Sequence, residues 1–247
     1  MTENNIPHIL PIQGAFNVRD LGGYPGTDGK TTKFDVFFRA DSTDRLTEQD
    51  VNMLLEHGVK LVIDLRSGEE VLAKPSVFAD RTDVAYHNIQ IIDNINSEFG
   101  VDNFPKSMGE LYIRLLNYAK GSIMKIFTLF YQSLSTAGGA CLFHCTAGKD
   151  RTGTISMLLL NLAGVADELI VEDYARTDEL IKELRELQMA AFRAQNIPVP
   201  EFALRAYPEN MQEALQHLHT AYTDAAHYLL DCGINQEEID FIRSSFI

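Results

Sequence analysis

The stretch Ala140-Cys141-Leu142-Phe143-His144-Cys145-Thr146-Ala147-Gly148-Lys149-Asp150-Arg151-Thr152-Gly153 reads as a short apolar strand running into a glycine-containing loop. Beyond it, Ile155, Leu158, Leu159 and Leu162 recur at helical spacing, so the loop joins a strand to a helix. The residues between Cys145 and Arg151 can curl until the N–H groups of Thr146, Ala147, Gly148 and Lys149 face one centre. The helix that follows points its positive end at the same place, which makes the centre a phosphate site. That field, with Arg151 nearby, favours the thiolate of Cys145, the nucleophilic form of a cysteine. Arg151 can grip two phosphoryl oxygens with its planar fork, which lysine cannot do. Thr152 can donate its hydroxyl to the Cys145 sulfur, and His144 is expected to orient the loop rather than transfer protons.

The remaining sequence sets limits on that chemistry. At 247 residues and 45% hydrophobic content the chain can bury a full core. No linker-like or low-complexity segment divides it, so residues 1–247 are expected to form one domain. A net charge of −14 repels nucleic acid and anionic lipid, so nucleic-acid binding is not expected and any anion site must be local. Met1 to Pro11 lacks a basic leader and a signal-length apolar run, and no segment is long enough to serve as a stable membrane anchor. Three cysteines without metal spacing, one of them needed as a thiol, point to the cytoplasm unless a leader has been removed. Cys141 and Cys232 read as buried apolar fillers. His217 and His219 lie two apart on a predicted helix and share no face, so neither a metal nor another cofactor is expected.

Val36 to Ala40, Lys60 to Leu65 and Val84 to Ile91 read as strands. Thr47 to Asp50 resembles a capping box opening a helix that ends at Gly58, and Lys106 to Thr136 holds two helices separated near Gly121. Strands alternating with helices predict an α/β fold: a mostly parallel sheet covered by helices on both faces, with ligands beyond the carboxyl ends of the strands. Residues 176–247 read as a helical extension. One stripe there runs through Leu180, Leu184, Leu187 and Ala191, and another through Met211, Leu215, Leu218 and Tyr222. Asn235 and Glu238 cap a third helix with Ile239, Ile242 and Phe246 on its face. These stripes are most simply core, with a lid or a homodimer surface as the alternative.

The run HCTAGKDRTG resembles the active-site loop of the cysteine-dependent protein tyrosine phosphatases. Asn17 to Tyr24, NVRDLGGY, resembles the NxRDLGG segment of a bacterial and fungal subgroup acting on phosphoproteins and phosphoinositides. With Asp64-Leu65-Arg66, the resemblance covers residues 14 to about 175. It implies a tyrosine phosphatase-like fold and hydrolysis of phosphate monoesters through a phosphocysteine. The expected substrate is protein phosphotyrosine, with dual specificity open, and a phosphoinositide is the alternative suggested by Lys149. Many relatives take the leaving-group proton from an aspartate on a Trp-Pro-Asp loop, but this chain has no tryptophan. Asp150 is therefore the first candidate acid, with Asp93 and Asp64 in reserve. Arg66 could contact phosphate or serve structure, and Arg19 and Asp20 could brace the sheet edge or touch substrate. A binding module without turnover, and a sulfurtransferase or arsenate reductase, also remain open.

Overall fold

The computed structural model describes residues 9–91, 105–136 and 138–247. Arg19–Asp20 (β1), Phe37–Ala40 (β2), Val59–Asp64 (β3), Ala85–Asn88 (β4) and Ala140–His144 (β5) form one sheet in the order β1-β2-β5-β3-β4. β2, β5, β3 and β4 run parallel, and β1 closes one edge antiparallel to β2. The helices are Glu48–Glu56 (α1), Gly68–Ala73 (α2), Met108–Tyr118 (α3), Lys120–Thr136 (α4), Asp150–Leu162 (α5), Asp167–Leu180 (α6), Lys182–Ala194 (α7), Pro208–Tyr222 (α8), Ala225–Asp231 (α9) and Gln236–Phe246 (α10).

The two-residue side-chain period sorts the central strands between two cores. Phe37, Leu61, Ile63, Cys141 and Phe143 enter one, with α3, α4 and α5 above them. Phe38, Ala40, Val62, Ala140 and Leu142 enter the other, against Val51 and Leu54 of α1 and Phe78. Phe37 stacks edge-on against Phe130 and Phe246, each at 5.0 Å between ring centres, so α10 seals the first core. The capping boxes read at Thr47/Asp50 and Asn235/Glu238 are both formed. Among the described residues no helix is long and apolar enough to cross a membrane.

The break between α3 and α4 falls at Ala119, close to the expected point near Gly121. Two expectations change. The helix after the loop begins at Asp150, which puts Asp150 and Arg151 in its first turn. The stripe from Leu180 to Ala191 is not core: α6 ends at Leu180, α7 has no buried residue, and Leu187 is 55% exposed. Periodicity shows that an apolar face exists, not what covers it. By contrast Met211, Leu215 and Leu218 of α8 and Ile239, Ile242 and Phe246 of α10 are buried, while Tyr222 is half-buried.

Candidate active site

Register brings the strand ends level, because Ala40 of β2 and Asp64 of β3 both pair with His144 of β5. Ser42, Arg66 and Cys145 follow just beyond that edge. Between Cys145 and α5 the loop carbonyls are pinned outward: Asn17 Nδ2 donates to Ala147 O and Gly148 O at 3.1 Å each, Arg39 Nη2 to Gly148 O at 2.7 Å, and Ser42 N to Thr146 O at 3.2 Å. With its carbonyls held from outside, the loop turns its N–H groups to the opposite side. No acceptor among the described residues takes an N–H from Thr146 to Arg151. Gly148 is required here: its φ is +63°, and a Cβ would lie 2.5 Å from Ala40 O.

Cys145, 2% exposed, lies in a cavity of about 140 Å³ that Thr146, Ala147, Asp150 and Arg151 line from the loop. Ile181, Phe192 and Leu204 wall it from the C-terminal helices. A neighbouring groove of about 350 Å³ shares Thr146 and Gln188 and runs past Leu184 and Leu187, so the exposed stripe of α7 borders open space beside the loop. Arg151 is held end-on by Glu70 of α2, with Nη1 to Oε2 at 2.6 Å and Nη2 to Oε1 at 2.9 Å. Burial opposes the charge on Glu70, but the Arg151 hydrogen bonds prevail and hold its carboxyl down at about 2. Thr146 Oγ1 also donates to Glu70. The bond expected from Thr152 to the Cys145 sulfur is not formed, and the buried Thr152 hydroxyl has no partner among the described residues.

His144 sits under the loop, with Nε2 3.2 Å from Thr43 Oγ1 and Nδ1 3.4 Å from the Cys145 carbonyl. Burial pushes its imidazole down to about 4 against the pull of Asp64, so it is neutral at pH 7 and its contacts are to the loop frame. Burial raises Cys141 to about 12 and Cys232 to about 11, as inert core thiols should be.

Arg19 is fully buried and braces the frame, donating through Nε to Asp173 Oδ1 at 2.9 Å and through Nη2 to Thr177 at 3.1 Å. Arg39 pairs with the same carboxylate, and Arg19 also donates to the Asn17 side-chain oxygen. Asp20 closes a turn by accepting from Gly22 N and Asp35 N, both at 2.7 Å. Arg66 does not reach the Cys145 cavity. Its nitrogens are occupied by Asp64, Ser42 and the Lys74 carbonyl, because Asp64 two residues earlier captures the guanidinium. Asp64 in turn is fully buried and also accepts from Tyr86, so the reserve acid is closed off from the cavity. Asp93 lies outside the described residues.

Lys149 lines the cavity beside Asp150, and its ammonium donates to the Ala203 carbonyl at 2.7 Å and the Arg205 carbonyl at 3.2 Å, with Asp150 Oδ1 at 3.3 Å. The side chain is only 2% exposed, and it ties the loop to the turn Glu201–Leu204. Asp150 lines the cavity and accepts from Tyr112 Oη at 2.7 Å. Glu70, Arg39, Asp173, Asn17 and Tyr112 are the supporting residues that sequence reasoning passed over as site residues. Two of them carried a local signal: Glu70 as the third helical residue of a capping box begun by Ser67, and Asn17 as the first residue of the NVRDLGGY stretch.

A tyrosine phosphatase family profile matches residues 10–247. A tyrosine-protein phosphatase of Nostoc commune is 32% identical over 258 aligned positions, covering 98% of this chain and 87% of that protein. The triple specificity protein phosphatase PtpB of Mycobacterium tuberculosis is 25% identical, covering 95% of this chain and 98% of that one. The crystal structure of P. aeruginosa TpbA aligns with 81% of this chain and 88% of its own at 13% identity and a TM-score of 0.38. The sequence matches carry the assignment: with a profile spanning nearly its whole length and a relative above 30% identity, this chain is a phosphatase of the tyrosine phosphatase family.

Proposed function

We propose that the protein hydrolyses phosphotyrosine on proteins through a phosphocysteine at Cys145. In the first step the Cys145 thiolate forms a bond to phosphorus as the phosphorus–oxygen bond to the leaving group breaks, and Asp150 gives that oxygen its proton. In the second, water attacks phosphorus, loses its proton to the Asp150 carboxylate, and the sulfur–phosphorus bond breaks to release phosphate and restore the thiolate. Arg151 and the N–H groups from Thr146 to Arg151 hold the equatorial oxygens throughout. Glu70 keeps Arg151 aimed, because a guanidinium gripped at both Nη atoms cannot swing away.

The observation that carries the substrate assignment is the wall of the cavity. Cys145, 2% exposed, shares the cavity lining with the apolar side chains of Ile181, Phe192 and Leu204. An aryl phosphate can fill that wall with its ring while its phosphate reaches the loop, whereas a short phosphoserine leaves the wall uncovered. The phosphoinositide reading leaned on Lys149, whose ammonium is occupied by two carbonyls. The name of the PtpB relative nevertheless makes a broad panel the right test. Phosphotyrosyl and phosphoseryl peptides and soluble phosphoinositides are compared by kcat/KM, with Cys145→Ser as the blank. Phosphotyrosyl peptides are expected to lead, and a lead by phosphoinositides or phosphoserine would overturn the assignment. Residues 1–247 are read as one catalytic domain, since α8 and α10 share the core under β5.

A further inference from the structure

Asp150 is the group on which the acid step turns, and it does not stand alone. Tyr112, fully buried on α3, places its hydroxyl 2.7 Å from Asp150 Oδ1 and 2.6 Å from the hydroxyl of Tyr174 on α6. The rings meet edge to face at 5.7 Å and 77°, so Tyr112 is fixed by its neighbour as well as by its own helix. Tyr174 in turn packs against the backbone of α5 at Gly153, where a Cβ would meet its ring at 3.3 Å. A hydroxyl has one proton to give. Tyr112 gives its proton to Asp150, so Tyr174 must donate to Tyr112, and the chain of donors runs one way toward Oδ1. The Lys149 ammonium lies on the same oxygen at 3.3 Å. Oδ2 has no partner among the described residues, and Asp150 shares the cavity with Cys145 and Arg151.

We propose that Tyr112 is a positioning residue for the acid step: by donating to Oδ1 it reserves that oxygen as an acceptor, so the transferable proton resides on Oδ2. This rests on Asp150 being the acid. A carboxylic acid has one proton and two oxygens, and an oxygen already facing two donors cannot carry it. The leaving oxygen therefore takes its proton from Oδ2 as the sulfur–phosphorus bond forms, and the attacking water later returns a proton to Oδ2. Without the Tyr112 hydroxyl the carboxyl can rotate and protonate on either oxygen, and the productive fraction falls.

The test is Tyr112→Phe, which keeps the ring and its packing, measured on aryl phosphates of graded leaving-group basicity and on a phosphoseryl peptide. Poor leaving groups need the acid and activated ones hardly do. The variant is expected to lose roughly 10-fold in kcat on the poorest leaving group and less than about 3-fold on the best. In an Asp150→Asn background the same substitution is expected to change nothing further. Tyr174→Phe, which leaves the Tyr112–Asp150 bond in place, is expected to keep the wild-type dependence on leaving group. A uniform loss across substrates, an undiminished loss in the Asp150→Asn background, or equal behaviour of the two phenylalanine variants would overturn the proposal. Asp150→Asn measured alone separates the two levels. If it is selective for poor leaving groups while Tyr112→Phe is flat, only the positioning role fails; if it is itself unselective, the acid reading fails and the positioning role with it.

Discussion

Asp173→Asn is the substitution whose consequences the structure fixes most fully. Asp173 lies on α6, yet its carboxylate joins Arg19 of β1 and Arg39 of β2, and it accepts from Tyr24 Oη at 3.0 Å. All three charged side chains are essentially without solvent contact. Burial alone would raise the Asp173 carboxyl, but Arg19 and Arg39 overcome it and hold it at about 2. Burial and the neighbouring Arg19 lower Arg39 to about 10, so the cluster is already short of negative charge. Asparagine keeps the shape and removes the anion, leaving two buried guanidiniums facing each other. Breaking a buried pair this way costs about 3–5 kcal/mol. For a chain of this size that lowers the melting temperature by roughly 6–20 °C. Activity is expected to fall as well, because Arg39 also holds the Gly148 carbonyl of the loop that carries Cys145. The dependence on pH has a fixed sign. A carboxyl depressed in the folded state stabilises it above the unfolded value near 3.8 and loses that contribution as pH falls toward 2. The stability gap between wild type and variant should therefore shrink by about 2 kcal/mol across that window. Thermal melts followed by circular dichroism at several pH values, with aryl phosphate turnover in parallel, measure both effects. A melting temperature within about 2 °C of wild type, or a gap that ignores pH, would refute the reasoning.

Two further substitutions bear on the loop and its arginine. Gly148→Ala forces a Cβ onto the Ala40 carbonyl at a φ of +63°, so steady-state kinetics should show at least a 100-fold loss of turnover, of the order of about 3 kcal/mol in the barrier; near-normal activity would mean the loop does not need this curl. Glu70→Gln removes the charge that grips Arg151 and should lower kcat by roughly 10-fold or more with a smaller change in KM, since Arg151 is needed most where phosphoryl charge spreads. A KM effect alone would assign Glu70 to binding.

The strand, loop and helix around Cys145 were legible because each has a local cause: an apolar run, a glycine and a helical stripe within 25 residues of one another. The caps at Thr47 and Asn235 were legible for the same reason, since both partners lie within one turn. The Arg19–Asp173 and Arg39–Asp173 pairs span 154 and 134 positions, and no local pattern links them. Asp173 looks like an ordinary helical acid until the fold brings two arginines to it. The carbonyls of Ala203 and Arg205 that hold the Lys149 ammonium lie 54 and 56 positions away, so the loop motif supplies the cation but not these partners. The α7 stripe was not legible as surface, as an apolar face bordering a groove has the same period as one facing a core. Tyr112 was concealed in an apolar helix, where its ring packs like its neighbours and only its hydroxyl meets the site.

The central claim is that Cys145 carries the phosphoryl group. Rapid acid quench of the enzyme turning over an aryl phosphate, followed by peptide mass spectrometry, tests it directly. One phosphoryl group is expected on the peptide containing Cys145, appearing within the first turnover, accumulating in Asp150→Asn and absent in Cys145→Ser. Phosphate release at full rate by Cys145→Ser, or a label on any other residue, would contradict the account.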